Sequence, residues 1–200
     1  MKANRLGLTL VLSAAMVSAA VADDDVDLPL NGDFRGAAVG RTCAPGWILN
    51  EQEGESRILA TNDRDEFALE LKAAPDRAKT VRSELHQVPL LPIFFSSSVL
   101  SVGNLLTLQL EARGTGRAAF GFEAFDDTRV KQTGSGSQAI ALTGKEQELK
   151  HAFALPPQTR FVRILLTAEA GSSAVFQDVE AEVSITQVTL PSGTAEPAAR

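Results

Sequence analysis

The 200-residue chain carries a formal net charge of −6, with 44% hydrophobic and 22% charged residues. This length and apolar content suit one globular domain with a sizeable core. The acidic balance argues against nucleic acid or anionic membrane as a partner, since both are bound through clustered lysine and arginine. The single cysteine, Cys43, excludes an internal disulfide. Cys43 therefore either forms an intermolecular disulfide or remains a buried thiol, and its apolar neighbours favour the buried thiol.

The first 22 residues have the pattern of a secretory signal peptide. Lys2 and Arg5 form a short basic start, an apolar run follows, and residues 20–22 form a small-residue cleavage site. The apolar run is shorter than the roughly 20 residues that a membrane-spanning helix needs. We therefore predict no membrane span, cleavage after Ala22, and export to the periplasm, the cell surface or the medium. Cleavage would remove two basic residues and no acidic one, which changes the formal charge from −6 to −8.

The rest of the chain divides into a lead-in, one domain and a tail. Residues 23–28 are mostly Asp and predict a flexible acidic linker, whereas residues 191–200 are rich in Pro and Ala and predict a disordered tail. Between them, residues 29–190 show no convincing helical period. Short apolar runs separated by turn signals predict about nine strands, which is typical of an all-β sandwich or barrel.

Several of these runs alternate between apolar and polar residues, as half-buried strands do. Clear alternation occurs at residues 67–71, 106–111 and 120–125, and the Arg-Gly-Thr-Gly sequence at 113–116 predicts a turn that joins the last two strands. The polar stretch from 50 to 57 predicts a surface loop. The run Phe-Val-Arg-Ile-Leu-Leu-Thr that starts at residue 161 is the most continuous, as expected of a central strand.

The segment from Pro89 to Val102 (residues 89–102) is strongly apolar but contains two prolines, which oppose a central strand. The favoured interpretation is a loop packed over one end of the sandwich. The alternative is an exposed apolar patch that binds a protein partner.

Short motifs spread over most of residues 29–190 carry a resemblance to a known superfamily. The matching stretches are Asn-Gly-Asp-Phe at 31–34, Pro-Gly-Trp at 45–47, the strand-like runs at 149–156 and 160–164, and Val-Phe-Gln-Asp-Val at 175–179. Together they are similar to the galactose-binding-domain-like jelly rolls, which include many carbohydrate-binding modules of secreted glycoside hydrolases. Arg35 and Gln177 depart from that pattern, since both positions are usually acidic. The resemblance implies a jelly-roll β-sandwich.

The resemblance also implies a glycan ligand, held on a concave sheet or at loop tips. Trp47 matches a turn residue that is normally part of the core, so aromatic stacking falls to Phe125. Each polar candidate taken alone is also explained as a solvated strand face. The absence of Tyr and of a second Trp counts against a strong glycan site, since such sites favour amphipathic aromatic residues. The candidate ligand-binding residues are Glu84, His86, Gln109, Glu111, Glu123 and Phe125.

Members of this superfamily often carry one structural Ca²⁺ where the first and last strands meet. Asp33 and Asp178 match the positions that hold it, and they are the metal candidates here. Calcium takes six to eight oxygen ligands, and two acidic positions of the pattern are missing. Asp33 has an alternative role, which is to cap its own turn.

The sequence contains no motif that indicates catalysis. It lacks Gly-x-Ser-x-Gly, His-Glu-x-x-His and a phosphate-binding loop. His86 and His151 lie far apart in sequence, and Cys43 has no nearby histidine. We therefore predict an exported, non-catalytic binding module, with carbohydrate as the ligand implied by resemblance. The alternative is a structural or protein-interaction β-sandwich of the cell envelope that lacks a sugar site.

Overall fold

The computed structural model describes residues 21–50, 55–61, 66–88 and 99–189. Within these ranges every paired strand is antiparallel and no helix occurs, which confirms the all-β jelly-roll sandwich. Eleven strands are present where the sequence predicts about nine. They are β1 Val21–Asp27, β2 Trp47–Asn50, β3 Glu55–Ala60, β4 Phe67–Lys72, β5 Lys79–Ser83, β6 His86–Gln87, β7 Val99–Phe125, β8 Gln132–Thr143, β9 Gln147–Leu155, β10 Phe161–Ala168 and β11 Ser173–Thr189.

The long strand β7 belongs to both layers of the sandwich. Its first half, residues 99–113, pairs with β11 and β9. Its second half, residues 115–125, pairs with β10 and β8. β1 and β4 extend the first layer from β11, and β5 extends the second layer from β10. The first and second layers are therefore a single curled sheet.

Both halves of β7 bury their even-numbered side chains in one shared core. Leu106 and Leu108 from the first half and Phe120 and Phe122 from the second half are at most 2% exposed. All four belong to a single apolar cluster. Each such side chain stabilises the fold by roughly 1.5–3 kcal/mol relative to an exposed position. The odd-numbered side chains of the same strand remain on the outside, where the candidate ligand residues lie.

The predicted turn at residues 113–116 is wrong, because β7 runs through it without reversing. The glycines there allow close contact with β11 and the residue before it. A Cβ on Gly114 would lie 2.0 Å from the carbonyl oxygen of Ser173, and its φ of 141° is closed to other residues. A Cβ on Gly116 would lie 2.3 Å from the Ser172 hydroxyl. Glycine at these positions permits packing, whereas the sequence pattern suggests chain reversal.

Two segments predicted to lack regular structure are strands. The linker prediction for residues 23–28 is wrong up to Asp27, since β1 pairs with β11 from Val21 onwards. This pairing uses backbone groups, so it tolerates the acidic side chains of an edge strand. Part of the predicted 50–57 loop is also wrong, because β3 pairs with β4 and fully buries Ile58.

Several predictions fall outside the described residues. The signal peptide is one of them, except for its last two residues, which begin β1. The predicted tail at 191–200 is another. Most of residues 89–102 also lies outside, and residues 99–102 form the start of β7. Across the described residues no helix is long and apolar enough to cross a membrane.

The motif around Asn31 and Trp47 is part of the architecture. The Trp47 ring is 5% exposed and lies 5.4 Å from the Phe34 ring, centroid to centroid. Its indole Nε1 donates a hydrogen bond of 2.8 Å to the backbone oxygen of Asn31. The Asn31 side chain donates in turn to the backbone oxygen of Pro45 at 2.8 Å. These contacts confirm Trp47 as a core residue.

Candidate functional site

The outward face of the second layer combines arginine, aromatic and acidic side chains. In β10, Val162, Ile164 and Leu166 are fully buried. The residues that alternate with them therefore point away from the core. Strand register places β10 between β5 and the second half of β7. We call the outward side chains of these three strands the arginine face, and its five defining members are Arg82, Glu123, Phe125, Phe161 and Arg163.

Glu123 and Phe125 both contact Arg163. Arg163 lies directly across from Glu123, with 3.6 Å between its Nε and the Oε2 of Glu123. This separation allows an ion pair but exceeds hydrogen-bond length. The guanidinium carbon of Arg163 lies 4.7 Å from the centroid of the Phe125 ring, within cation–π range. Phe125 is only 7% exposed, so a guanidinium covers the stacking surface that the sequence predicts.

Phe161 forms a second arginine–aromatic pair at the end of the same face. It lies directly across from Phe125, and the guanidinium carbon of Arg129 lies 4.4 Å from its ring centroid. Phe161 is half-buried, so part of it remains accessible. The two pairs present flat guanidinium groups, each with several N–H donors. Such groups can pack against a sugar ring and donate hydrogen bonds to its hydroxyls.

Arg82 is the least satisfied arginine of the face. It is half-buried and lies across from Leu165 on one side and Ile48 on the other. Its Nε is buried without a hydrogen bond, and the described part of the chain offers its guanidinium no ion pair. The Nε of Arg163 also lacks a hydrogen bond. A buried donor without a partner costs roughly 1–3 kcal/mol.

Small side chains lie beside the arginine face. Ser135 is across from Glu123, and Ser137 is across from Gly121. Both serines are exposed. A Cβ on Gly121 would lie 2.1 Å from the backbone oxygen of Gly136, which shows how closely the two strands approach. The two exposed serines place hydroxyl groups beside the arginine face.

A cavity of about 460 Å³ lies at the end of the second layer, next to the arginine face. It is formed by the loop after β7 and the loop before β10. Two acidic and two basic side chains line it, so their charges balance. Thr128 stabilises the first loop by donating its backbone N–H to the Asp126 carboxylate at 3.0 Å. The lining residues are Asp126, Asp127, Lys131, Gln132, Thr133, Gln158 and Arg160.

Gln109 and Glu111 do not join this site. They lie on the first half of β7, on the outward face of the first layer, across from Lys150 and Glu148 of β9. Gln109 donates to Glu148 at 3.5 Å, and Glu111 accepts a hydrogen bond from Gln177. Gln109 and Phe125 are both candidate ligand residues, but they lie on different layers, because β7 passes from the first layer to the second between them.

Glu84 and His86 lie near the edge of the second layer, where β5 is separated from β6. Glu84 is exposed and its backbone N–H donates to Gly46 at 2.8 Å. His86 lies across from the fully buried Val162, so it is on the core side of the sheet. Its Nε2 is buried without a hydrogen bond. Burial lowers the pKa of His86, and nearby Glu84 partly offsets this effect. His86 is thus separated from the arginine face.

Asp33 and Asp178 approach each other near the bulge in β11. Burial raises the pKa of Asp178, and Glu111 and Asp33 raise it further. The Asp33 carboxylate already pairs with Arg35 at 2.9 Å. The nearby carbonyls of Gly32 and Asp33 accept hydrogen bonds from Val179 and Phe67.

This donor set does not fit calcium, which takes six to eight oxygens. Within the ranges described, no group of three or more Asp, Glu, His or Cys side chains could hold a metal ion. The raised pKa of Asp178 shows carboxylates that repel one another. Arg35 and Gln177 also lie in this region, and neither adds a carboxylate ligand.

Cys43 lies in the turn before Trp47 and is half-buried. Its Sγ donates to the backbone oxygen of Trp47 at 3.3 Å. Burial raises the pKa of the thiol, and the backbone N–H of Ala44 offsets part of the rise. The thiolate is the reactive form, so this cysteine is a weak nucleophile near neutral pH.

Comparison with known proteins supports the fold. A tailspike protein of bacteriophage CBA120, solved as its enzymatically active domain, matches 68% of this chain at 12% identity with a TM-score of 0.51. This chain spans 19% of that tailspike chain. At such low identity the match shows the fold alone.

Carbohydrate-binding modules are also similar. The family 29 module of Piromyces equi matches 83% of this chain and 91% of its own, at 12% identity and a TM-score of 0.44. The family 11 module of a Clostridium thermocellum cellulase matches 88% and 99%, at 11% identity and a TM-score of 0.43. No protein-family profile and no curated protein matches the sequence.

Sequence reasoning missed Arg82, Arg163 and Phe161. A signal for two of them was present, because Phe161 and Arg163 occupy the odd positions of a run whose even positions are purely apolar. That run was interpreted as a central strand, and its alternation was not used to assign an outward face. Arg82 carries no comparable signal, since its position depends on the register between β5 and β10.

Proposed function

We propose that this chain is an exported, non-catalytic carbohydrate-binding module that holds a glycan on its arginine face. The observation that carries the proposal is the arrangement of Arg163, which lies over Phe125 and beside Glu123. Glycans present hydroxyls to polar groups and C–H surfaces to flat ones, and this face offers both kinds of group. The resemblance to galactose-binding-domain-like modules supports the same function.

The surroundings of the arginine face also support glycan binding. Ser135 and Ser137 are exposed next to it, where their hydroxyl groups can bond to a sugar chain. The cavity between Asp126 and Arg160 continues the surface at one end. We assign no reaction to either region. The predicted signal peptide, with cleavage after Ala22, would deliver the module to the periplasm, the surface or the medium.

A glycan array followed by calorimetry tests this proposal. Residues 23–200 should bind at least one plant, microbial or host glycan. Arg163→Gln should weaken that binding at least tenfold, because it removes the guanidinium that lies over Phe125 together with its N–H donors. Arg113→Gln is the matched control, since it makes the same change on the first layer and should leave affinity within about twofold.

Absence of binding to every glycan on the array would contradict the proposal. It would favour the structural or protein-interaction alternative, which light scattering tests with and without replacement of residues 89–102. An equal loss of binding in the Arg113→Gln control would also contradict the proposed location of the site.

A further inference from the structure

We infer that the arginine face is built for acidic glycans, whose sugar rings carry carboxylate or sulfate groups. This inference rests on the proposed function and names the class of ligand that the same surface takes. It is carried by the arginines of the face, since neutral sugars need no unpaired positive charge. Arg82 provides that charge, because no described side chain neutralises it.

Arg82 and Arg163 are close enough to act on one ligand. Arg82 lies directly across from Leu165, and Arg163 is two residues along β10 on the same outward face. Such diagonal neighbours on antiparallel strands are about 7–8 Å apart at their Cα atoms. Two guanidinium groups at that spacing can converge on one oxyanion or bind the anions of neighbouring sugars. Arginine suits this role because its fork of N–H donors matches the geometry of a carboxylate.

The other charged side chains of this surface do not compete with a ligand for Arg82. Glu123 lies across from Arg163 and is only 3.6 Å from its Nε, so this carboxylate is already engaged. Glu84 is exposed and lies in the break between β5 and β6. The cavity at the end of the layer carries balanced charges. An incoming anion therefore meets one unpaired and one partly paired guanidinium.

Three other arginines of the chain form ion pairs with carboxylates and can be compared with Arg163. Arg57 contacts Glu70 at 2.5 Å, Arg35 contacts Asp33 at 2.9 Å, and Arg117 contacts Glu169 at 3.0 Å. Each of these guanidinium groups is more exposed than that of Arg163, whose side chain is 22% exposed. Arg113, which is 44% exposed, lies 3.8 Å from Glu146, so a loose pair also occurs at the surface. Arg163 combines a loose pair with low exposure, and burial raises the cost of an unpaired charge.

The chain's net charge of −6 does not oppose this inference. Acidic side chains concentrate on the outward face of the first layer, where Glu111, Glu146 and Glu180 all raise the pKa of Asp178. Beyond about 8–10 Å, salt at physiological strength screens exposed charges. The charges next to the ligand, chiefly those of Arg82 and Arg163, therefore decide which ligand is held.

The test compares polysaccharides that differ only in their anions. Calorimetry would measure binding of polygalacturonate against its carboxyl-reduced form, and of dextran sulfate against dextran. The wild-type protein should bind one anionic chain at least tenfold more tightly than its neutral counterpart, and added salt should weaken that binding. The first pair of ligands reports on carboxylates and the second on sulfates.

Arg82→Gln and Arg163→Gln should each abolish the preference while melting within a few degrees of the wild type. Arg113→Gln is the control, since it removes a charge from the first layer. Equal binding of neutral chains would overturn this inference and leave the proposed function intact. Absence of all polysaccharide binding would overturn both. A preference that survives in both variants, or equally tight binding of single-stranded DNA, would also overturn the acidic-glycan inference.

Discussion

The two halves of β7 contribute to one core, yet their outward side chains differ in kind. Outside the first half, carboxylates crowd together and Gln177 bridges two of them, Glu111 and Glu146. Outside the second half, Arg163 and Arg82 have few partners, and aromatic rings lie beneath Arg163 and Arg129. The acidic surface satisfies its polar groups internally, whereas the arginine face leaves donors open.

This difference shows that one strand can supply core residues from its inward side chains and a candidate binding surface from its outward ones. Inward positions such as Leu108 and Phe122 are fixed by the shared core. Outward positions are free to differ because the sheet curls between them, so the two sets of side chains belong to different layers. Gly114 and Gly116 allow β7 to pass from the first layer to the second. The predictions below alter the connection between the halves first, and then the charged groups on each side.

The largest effect on stability is expected where β7 passes from the first layer to the second. Gly114→Ala should reduce the free energy of unfolding by about 3 kcal/mol or more, because the new Cβ would lie 2.0 Å from the Ser173 carbonyl oxygen. Chemical denaturation followed by tryptophan fluorescence measures this, since Trp47 is the only tryptophan.

Gly144→Ala is the matched control for backbone conformation. Gly144 also has a positive φ, of 80°, but nothing lies within 4 Å of its Cβ position. The control should lose only about 1–2 kcal/mol, the cost of a left-handed residue. Equal losses in the two variants would contradict the claim that close packing, and not φ alone, requires glycine at 114.

Acidification should weaken the edge of the second layer where His86 lies. Burial lowers the pKa of His86 in the folded state, so the unfolded chain binds more protons between that lowered pKa and about 6.5. Stability should therefore fall as pH drops from about 6.5 through the folded pKa. Solvent screening keeps the effect below about 1 kcal/mol, since His86 is only half-buried.

The measurement is the difference in unfolding free energy between the wild type and His86→Gln from pH 7.5 to 4.5. The variant should gain relative to the wild type as pH falls. A constant difference across that range would show that His86 is not shielded from protonation.

Acidification should have the opposite effect at the acidic surface. The pKa of Asp178 is raised in the folded state, first by burial and then by neighbouring carboxylates. Its ionised form therefore destabilises the fold above that pKa, and the penalty disappears as pH falls below the unfolded pKa of about 3.9. Asp178→Asn should raise stability near pH 7 by about 0.5 kcal/mol, or about 1–2 °C. Asparagine suits position 178 because it tolerates the positive φ of 49° that Asp178 adopts.

Calcium provides the control for this variant. The wild type should melt at the same temperature in EDTA and in millimolar Ca²⁺, because Asp33 and Asp178 lack further ligands. A calcium-dependent rise in the melting temperature, lost in Asp178→Asn, would contradict this interpretation of the site.

Much of the fold follows from local sequence patterns, whereas the site depends on distant pairings. Alternation correctly predicts the strand around Phe67 and places Glu123 and Phe125 on one face, and a continuous run correctly predicts the strand that begins at Phe161. Neither pattern tells whether a glycine pair reverses a strand or lets it pass a neighbour, so residues 113–116 wrongly predict a turn. Arg82 gains its role only from the register of β5 against β10.

An NMR titration of backbone amides with the best glycan from the array tests the central claim most directly. Glycan binding to the arginine face should shift signals of residues 119–125 and 161–167, together with the amide of Arg82. Signals of residues 105–112 and of β9 should remain within error. Shifts that cluster on the first half of β7 and on β9, with the second half unchanged, would contradict the account.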